Sequence, residues 1–240
     1  MQNNQTIETR THREDGILDV HSIFYTIQGE GPFTGWPSVF VRLAGCNLQC
    51  PLCDTDYTSH REFMHPSGIL SKIKSLIPNK STTTPLVVLT GGEPFRQNLQ
   101  MLLTVLNDHD FNIQIETNGI VNFKEIHNAR LVDAHIVCSP KVDRIDPDII
   151  NEQVITDWKY IIRHGEVENG RPTKVLGRNI VPYFPTREFL MFPDQTLIYV
   201  QPLDEQDKEL NQQNLETTRD LAMEYGYILG TQFHKELELP

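Results

Sequence analysis

Val39-Phe40-Val41-Arg42-Leu43-Ala44-Gly45-Cys46-Asn47-Leu48-Gln49-Cys50-Pro51-Leu52-Cys53-Asp54-Thr55 joins a short apolar run to three cysteines spaced C-x3-C-x2-C. Val39–Leu43 reads as a strand of a parallel sheet covered on both faces, because its hydrophobicity is nearly continuous. The cysteines follow at once, on the loop leaving that strand. A compact loop can turn three thiolates toward one point, and thiolates suit iron–sulfur clusters, which commonly take four. With three, a cubane keeps one iron free for a substrate or cofactor, by the logic that separates catalytic from structural zinc. Zinc is the alternative occupant. It would need a fourth ligand; His60 is the nearest histidine, and no second C-x2-C stands nearby.

Working outward, similar runs recur at Leu86–Leu89, Asn112–Ile115, His135–Cys138, Lys159–Ile162 and Leu197–Val200. Between several of them lie helical patterns: Ile69–Ile77 after Pro66-Ser67, Leu99–Leu106, and Leu215–Tyr225 closed by Gly226. Strands alternating with helices predict an α/β fold with a parallel sheet or barrel. Polar or glycine-rich clusters follow the strands directly: Thr90-Gly91-Gly92-Glu93-Pro94, Glu116-Thr117-Asn118-Gly119, Ser139-Pro140-Lys141 and Gln201-Pro202-Leu203-Asp204. Each alone is ordinary turn chemistry. Together with the cysteine loop they place functional residues along one C-terminal edge, where parallel α/β proteins bind ligands. Cys138 lies in an apolar run and reads as a small buried hydrophobe, and Phe24, Phe33 and Trp36 as core or pocket wall.

The chain has 240 residues, enough for one sizeable core. Hydrophobic residues are 38% and charged residues 22%, as expected of a globular protein in solution. The formal charge of −11 and the lack of a basic run disfavour nucleic acid and point to a small-molecule substrate. No stretch approaches the roughly 20 apolar residues of a membrane span. The polar N-terminus lacks a signal-peptide core, so the cytoplasm is the expected compartment. The expected organisation is a loose polar extension over 1–16 and one domain over 17–240. Within it, the Gly- and Pro-rich 163–193 stands out as an irregular insert, a lid or an ordered loop.

The cysteine spacing after the first strand and Gly91-Gly92-Glu93-Pro94 after the next together resemble the radical S-adenosylmethionine superfamily. Ile27-Gln28-Gly29-Glu30-Gly31, Gly35, Val41–Leu48 and Cys53-Asp54-Thr55 resemble the 7-carboxy-7-deazaguanine synthase family more narrowly. Ser139-Pro140-Lys141, Gln201-Pro202 and His234-Lys235 through Pro240 fit the same family, so the likeness runs over about residues 20–240. The resemblance implies a partial TIM-type barrel carrying a [4Fe–4S] cluster on Cys46, Cys50 and Cys53, with S-adenosylmethionine and Mg²⁺.

It further implies a cofactor site of Leu52, Cys53, Asp54, Gly92, Ser139, Pro140, Lys141, Gln201, Pro202, Leu203 and Asp204. In the superfamily the Gly-Gly-Glu turn meets the cofactor's amino group. Thr55 would ligate Mg²⁺, whose remaining sites go to substrate oxygens and water. The substrate site would comprise Ile27, Gln28, Gly29, Arg42, Thr90, His234 and Pro240, with Arg42's planar fork suited to a carboxylate. Glu30 and Glu116 fall at the same edge, and Glu116 could instead hold a loop. The family converts 6-carboxy-5,6,7,8-tetrahydropterin to 7-carboxy-7-deazaguanine and ammonia, on the way to queuosine and related deazapurines. In that chemistry an electron from the cluster cleaves the cofactor, the 5′-deoxyadenosyl radical takes hydrogen from pterin C6, the ring contracts and hydrogen returns. A reductant such as flavodoxin or ferredoxin and a homodimer are implied as well. Other readings are a glycyl-radical activating enzyme, using the same cluster on a protein partner, and a zinc-stabilised binding module.

Overall fold

The computed structural model describes residues 3–11, 13–120, 134–147, 154–185 and 196–240. Each of the six expected strands is present within a residue or two: β2 (Pro37–Leu43), β4 (Leu86–Gly91), β5 (Ile113–Thr117), β6 (Ala134–Cys138), β7 (Asp157–Ile162) and β10 (Leu197–Pro202). They lie parallel in the order β10-β7-β6-β5-β4-β2. β11 (Ile228–Leu229) adds a parallel edge to β10. At the other edge β1 (Leu18–Ile27) runs antiparallel to β2, and β3 (Glu62–Met64) antiparallel to β1. β1 has no counterpart among the expected strands. Its sequence LDVHSIFYTI mixes polar and apolar residues, and the register shifts between Val20 and Ser22.

The helices match the expected patterns. α1 (Pro66–Leu76) starts on a proline at its first turn and a His65 cap, and buries Ile69, Leu70 and Ile73. α2 (Gln100–Asn107) buries Leu102, Leu103 and Leu106. α3 (Lys208–Tyr225) ends at Gly226 with φ 74°, as read, but begins seven residues before the expected Leu215, at an Asp207 cap that accepts from the N–H groups of Glu209 and Leu210. Its first half is polar, and what it buries there is Asn214. That amide donates to Leu203 O and accepts from His164 N, a contact without hydrophobic periodicity. α4 (Phe233–Glu236) is a last short turn. No described helix is long and apolar enough to cross a membrane.

The strands are buried on both faces, but the faces differ. Val39, Val41, Leu43, Val87, Leu89, Ile113, Ile115, Trp158, Tyr160, Ile162, Ile198 and Val200 alternate onto one face and join the helices in a continuous core. On the other face lie Phe40, Arg42, Glu116, Lys159, Ile161 and Gln201, which line a cavity, with the fully buried Gln114 behind them, bonded to Glu116 and Gln28. The sheet curls around that cavity. β1 and β7 are five strands apart, about 24 Å in a flat sheet, yet Glu30, just past β1, meets Lys159 of β7 at 2.6 Å. The result is an incomplete barrel, as the resemblance implies.

Within the expected insert, β8 (Val167–Glu168) and β9 (Arg171–Pro172) form a hairpin. Its turn, Asn169-Gly170, has φ 50° and 79°, the two positive angles that Asn-Gly hairpins supply. Residues 186–193 of the insert lie outside the described residues.

Candidate active site

The cavity has a volume of about 650 Å³, within the usual range for small-molecule sites. Its upper rim is the loop after β2. Cys46 and Cys50 are buried there and Cys53 is partly so; all three line the cavity. Leu48 N–H donates to Cys46 Sγ at 3.4 Å. Burial pushes the Cys46 thiol up to about 12 and raises Cys53 too, so these thiols stay protonated until a metal displaces the proton. Among the described residues no three His, Cys, Asp or Glu side chains gather on a single metal-ion position. A cubane takes one thiolate on each of three irons, and three thiols on one short loop fit it. His60, the ligand a zinc site would recruit, packs edge-on against His21 with ring centroids 6.3 Å apart.

The Gly91-Gly92-Glu93 turn is stapled to this loop. Gly92 N donates to Leu43 O and Glu93 N to Gly45 O. Gly91 has φ 126°, and a Cβ there would lie 2.1 Å from Leu43 O; one on Gly92 would lie 2.0 Å from Gly45 O. Both glycines border the cavity. The Glu93 carboxylate turns away from it. It is fully buried and accepts from Phe95 N, Thr117 Oγ1 and Asn118 N, and burial raises it to about 7. In this chain the acidic residue of the motif therefore ties the β4 turn to the β5 turn. Asn118 carries the tie onward, donating to Asn47 Oδ1 at 2.8 Å inside the cysteine loop.

The barrel interior is a polar network. Glu116 accepts from Gln28, Gln114 and Thr90 side chains, at 3.2, 3.0 and 3.2 Å, so its carboxylate serves the cavity and not a loop backbone. Lys159 bridges Glu30 at 2.6 Å and Glu116 at 3.7 Å. Gln28 and Glu30 enter from the end of antiparallel β1, so the site extends from the C-terminal edge down the interior. Arg42 lies over the Phe24 ring at 5.3 Å. Its buried Nε and the buried Oε1 of Gln201 have no hydrogen-bond partner among the described residues, two polar atoms left for a ligand.

Ile27, Thr55, Ser139, Lys141, Asp204, His234 and Pro240 also line the cavity. Lys141 is partly buried, desolvation lowers its pKa, and its ammonium donates to the carbonyl and hydroxyl of Ser139. Thr55 donates to Asp54 Oδ1 at 3.4 Å. Leu52, Pro140, Pro202, Leu203 and Gly29 stand behind the wall. Leu52 N donates to Leu176 O and Leu203 N to Ile162 O. A Cβ on Gly29 would meet His234 Nδ1 at 2.1 Å, so this glycine lets the C-terminal turn close on β1. That closure is tightened by Gln232 on Glu30, Thr26 on Pro240 O, and Lys235 on Asp204 at 2.7 Å.

Three thiols on a loop after a parallel strand, a glycine turn beside them and a polar barrel interior below define a radical iron–sulfur enzyme of the S-adenosylmethionine class. The chain is 39% identical over 222 residues to the 7-carboxy-7-deazaguanine synthase of Rickettsia prowazekii, covering 92% of this chain and 88% of that one. It is 37% identical over 229 residues to that of Rhodospirillum rubrum, 92% of each. It belongs to the 7-carboxy-7-deazaguanine synthase family. Residues 27–142 match the 4Fe-4S single cluster domain family. The fold is similar to the crystal structure of QueE from Escherichia coli, with a TM-score of 0.62 at 20% identity over 91% of this chain and 95% of that one.

Lys159, Gln114 and Gln232 are site residues that sequence reasoning passed over, and Asn47 and Asn118, quoted there within motifs, were given no role of their own. The available signal was a polar residue every second position inside an apolar strand, Gln114 and Glu116 in β5 and Lys159 in β7. Burial alone would push Glu30 up, but the charge and hydrogen bond of Lys159 bring it down to about 2. Burial likewise opposes the Lys159 charge, and Glu116 with Glu30 raises it on balance. A depressed carboxyl stabilises the fold above its ordinary 4.5 and loses that contribution as pH falls toward 2; a raised lysine loses its contribution only above its ordinary 10.5. Lys159→Gln is therefore expected to cost about 2 kcal/mol at neutral pH, less than a fully buried pair because the carboxylates touch the cavity. Urea unfolding should show the gap from wild type closing as pH falls from 4.5 toward 2.

Proposed function

We propose that this chain, as a single domain over 17–240, converts 6-carboxy-5,6,7,8-tetrahydropterin to 7-carboxy-7-deazaguanine and ammonia. The observation that carries the reading is one cavity holding both the three-cysteine loop and, below it, an unpaired Arg42 Nε facing a Glu116–Lys159–Glu30 network. Cys46, Cys50 and Cys53 would hold a [4Fe–4S] cluster. S-adenosylmethionine would lie against Gly92, Ser139, Lys141, Gln201, Asp204 and Asp54, with Leu52, Pro140, Pro202 and Leu203 backing that wall. Bound there, the two groups would supply one-electron radical chemistry to the substrate.

The protein's own residues bind and orient. Arg42 would donate its Nε–H to the substrate carboxylate, and Thr55, a hydroxyl on the cavity wall, would hold Mg²⁺, which would neutralise carboxylate charge. Glu116 and Glu30 accept from the pterin N–H edge, and the charge and hydrogen bond of Lys159 hold Glu30 ionised. Ile27, Gln28, Gly29, Thr90, His234 and Pro240 close around the ring and exclude water. The net reaction removes one ammonia and is redox-neutral. The reading includes a cytoplasmic one-electron donor of the flavodoxin or ferredoxin type and a homodimer, both supported by family membership alone.

Arg42→Lys tests the substrate reading. Lysine keeps the charge but loses the planar fork, so KM for the pterin should rise roughly 10- to 100-fold, the worth of one charge-assisted hydrogen bond. KM for S-adenosylmethionine should stay near wild type. An unchanged KM for the pterin would remove Arg42 from the substrate site. Cofactor cleavage without ammonia release would point to a protein substrate, as for a glycyl-radical activating enzyme.

A further inference from the structure

Residues 3–11 fall within the polar extension expected over 1–16. They are laid along the cysteine loop. Glu8 N donates to Cys46 O at 2.8 Å, and Ile7 forms a parallel bridge with Cys46. Asn3 N donates to Pro51 O at 2.9 Å, and its side-chain amide to Cys50 O at 3.1 Å. Gln5 grips the far end. Its Nε2 donates to Thr55 O at 2.8 Å, while its Oε1 accepts from Tyr57 N at 2.7 Å and Thr58 Oγ1 at 3.1 Å. Its backbone carbonyl accepts from Gln49 Nε2 at 2.7 Å. The loop's irregular backbone thus finds donors for the carbonyls of Cys46, Cys50, Pro51 and Thr55 in one segment of chain. Buried carbonyls need such partners.

The segment is anchored to the fold at its other end. Glu8 pairs with Arg61 at 2.5 Å and Arg96 at 3.4 Å. Arg96, itself buried, donates to Thr9 O at 3.0 Å and to Ala44 O at 2.9 Å, at the base of the cysteine loop. Arg96 O accepts from Thr11 N. Polar composition is what this role requires, because the segment holds by hydrogen bonds and not by burying apolar area.

We propose that residues 3–11 are a strap that sets the geometry of the cluster loop, with Gln5 its chief positioning residue. Gln5 fixes Thr55 O and Tyr57 N, on the backbone that follows Cys53, so the turn carrying the partly exposed cysteine is held through its main chain. The inference rests on the cluster reading above. Without the Gln5 amide the Cys53–Thr55 turn opens, and the cluster is lost sooner.

The test compares anaerobically reconstituted full-length wild type, Gln5→Ala and Gln5→Glu. It follows visible-absorbance decay on addition of an iron chelator, amide hydrogen exchange of the metal-free proteins, and melting temperature. Gln5→Ala should lose its cluster about tenfold faster, the worth of about one hydrogen bond to a loop that must stay closed. Its Tyr57 amide should exchange faster, with little change in melting temperature. Gln5→Glu keeps the acceptor for Tyr57 N but loses the donor to Thr55 O. It should protect the Tyr57 amide like wild type and still lose the cluster quickly. A Gln5→Ala protein that holds its cluster as long as a normally loaded wild type overturns the strap alone. A wild type that takes up no iron and sulfide overturns the cluster reading and the strap's role with it.

Discussion

Cys50→Ser is expected to give a folded protein that retains no cluster, cleaves no S-adenosylmethionine and forms no product. Serine matches cysteine in shape, but its hydroxyl is a poor ligand for iron in a sulfide cluster. The loop does not depend on the Cys50 thiol for its path. Cys50 O accepts from Asn3 Nδ2 and from Cys53 N, and those bonds survive the substitution. The thiol is buried at 7% exposure, so the new hydroxyl should cost about 1 kcal/mol and lower the melting temperature by about 2–4 °C. Iron and sulfide analysis separates the effects: a melting temperature lowered only by those few degrees, with no retained iron, is the expected pattern. A Cys50→Ser protein that keeps full iron and activity would take Cys50 out of the ligand set.

Gly92→Ala should act through the backbone. The added methyl would meet Gly45 O at 2.0 Å, Gly45 C at 2.5 Å and Cys46 Cβ at 2.9 Å. Two of those are main-chain atoms, which cannot turn aside as a side chain can. The β4 turn must lift from the cysteine loop, breaking the bonds from Gly92 N to Leu43 O and from Glu93 N to Gly45 O. The expected cost exceeds about 4 kcal/mol, with cluster retention lost as well. Gly68→Ala is the matched control. It lies inside α1 with its nearest contact, Met64 Cε, at 4.0 Å, and alanine there should add about 0.5–1 kcal/mol. If both variants melted alike, the glycine turn would not lie against the cysteine loop.

The parallel strands were legible because Leu86–Leu89 and its counterparts are short apolar runs ending in Gly, Pro or polar clusters. The cysteines and Gly91-Gly92 were legible because their spacing is sequence-local. β1 was not, since a strand that faces a polar cavity on one side and is bulged at Val20–Ser22 shows neither continuous nor strictly alternating hydrophobicity. The first half of α3 was hidden because it buries Asn214 and not an apolar stripe. Lys159 was read as part of an apolar strand; its role depends on Glu30, 129 positions away, which only the curl of the sheet brings into reach. The strap was hidden for a related reason: its partners are backbone carbonyls, which carry no sequence signal.

Anaerobic reaction of the reconstituted wild-type protein with dithionite, S-adenosylmethionine, Mg²⁺ and 6-carboxy-5,6,7,8-tetrahydropterin, read by mass spectrometry, decides the substrate. The expected product is 7-carboxy-7-deazaguanine, with ammonia released in equal amount. Methionine and 5′-deoxyadenosine without that product would contradict the substrate reading, and a protein that binds neither iron nor S-adenosylmethionine would contradict the account as a whole.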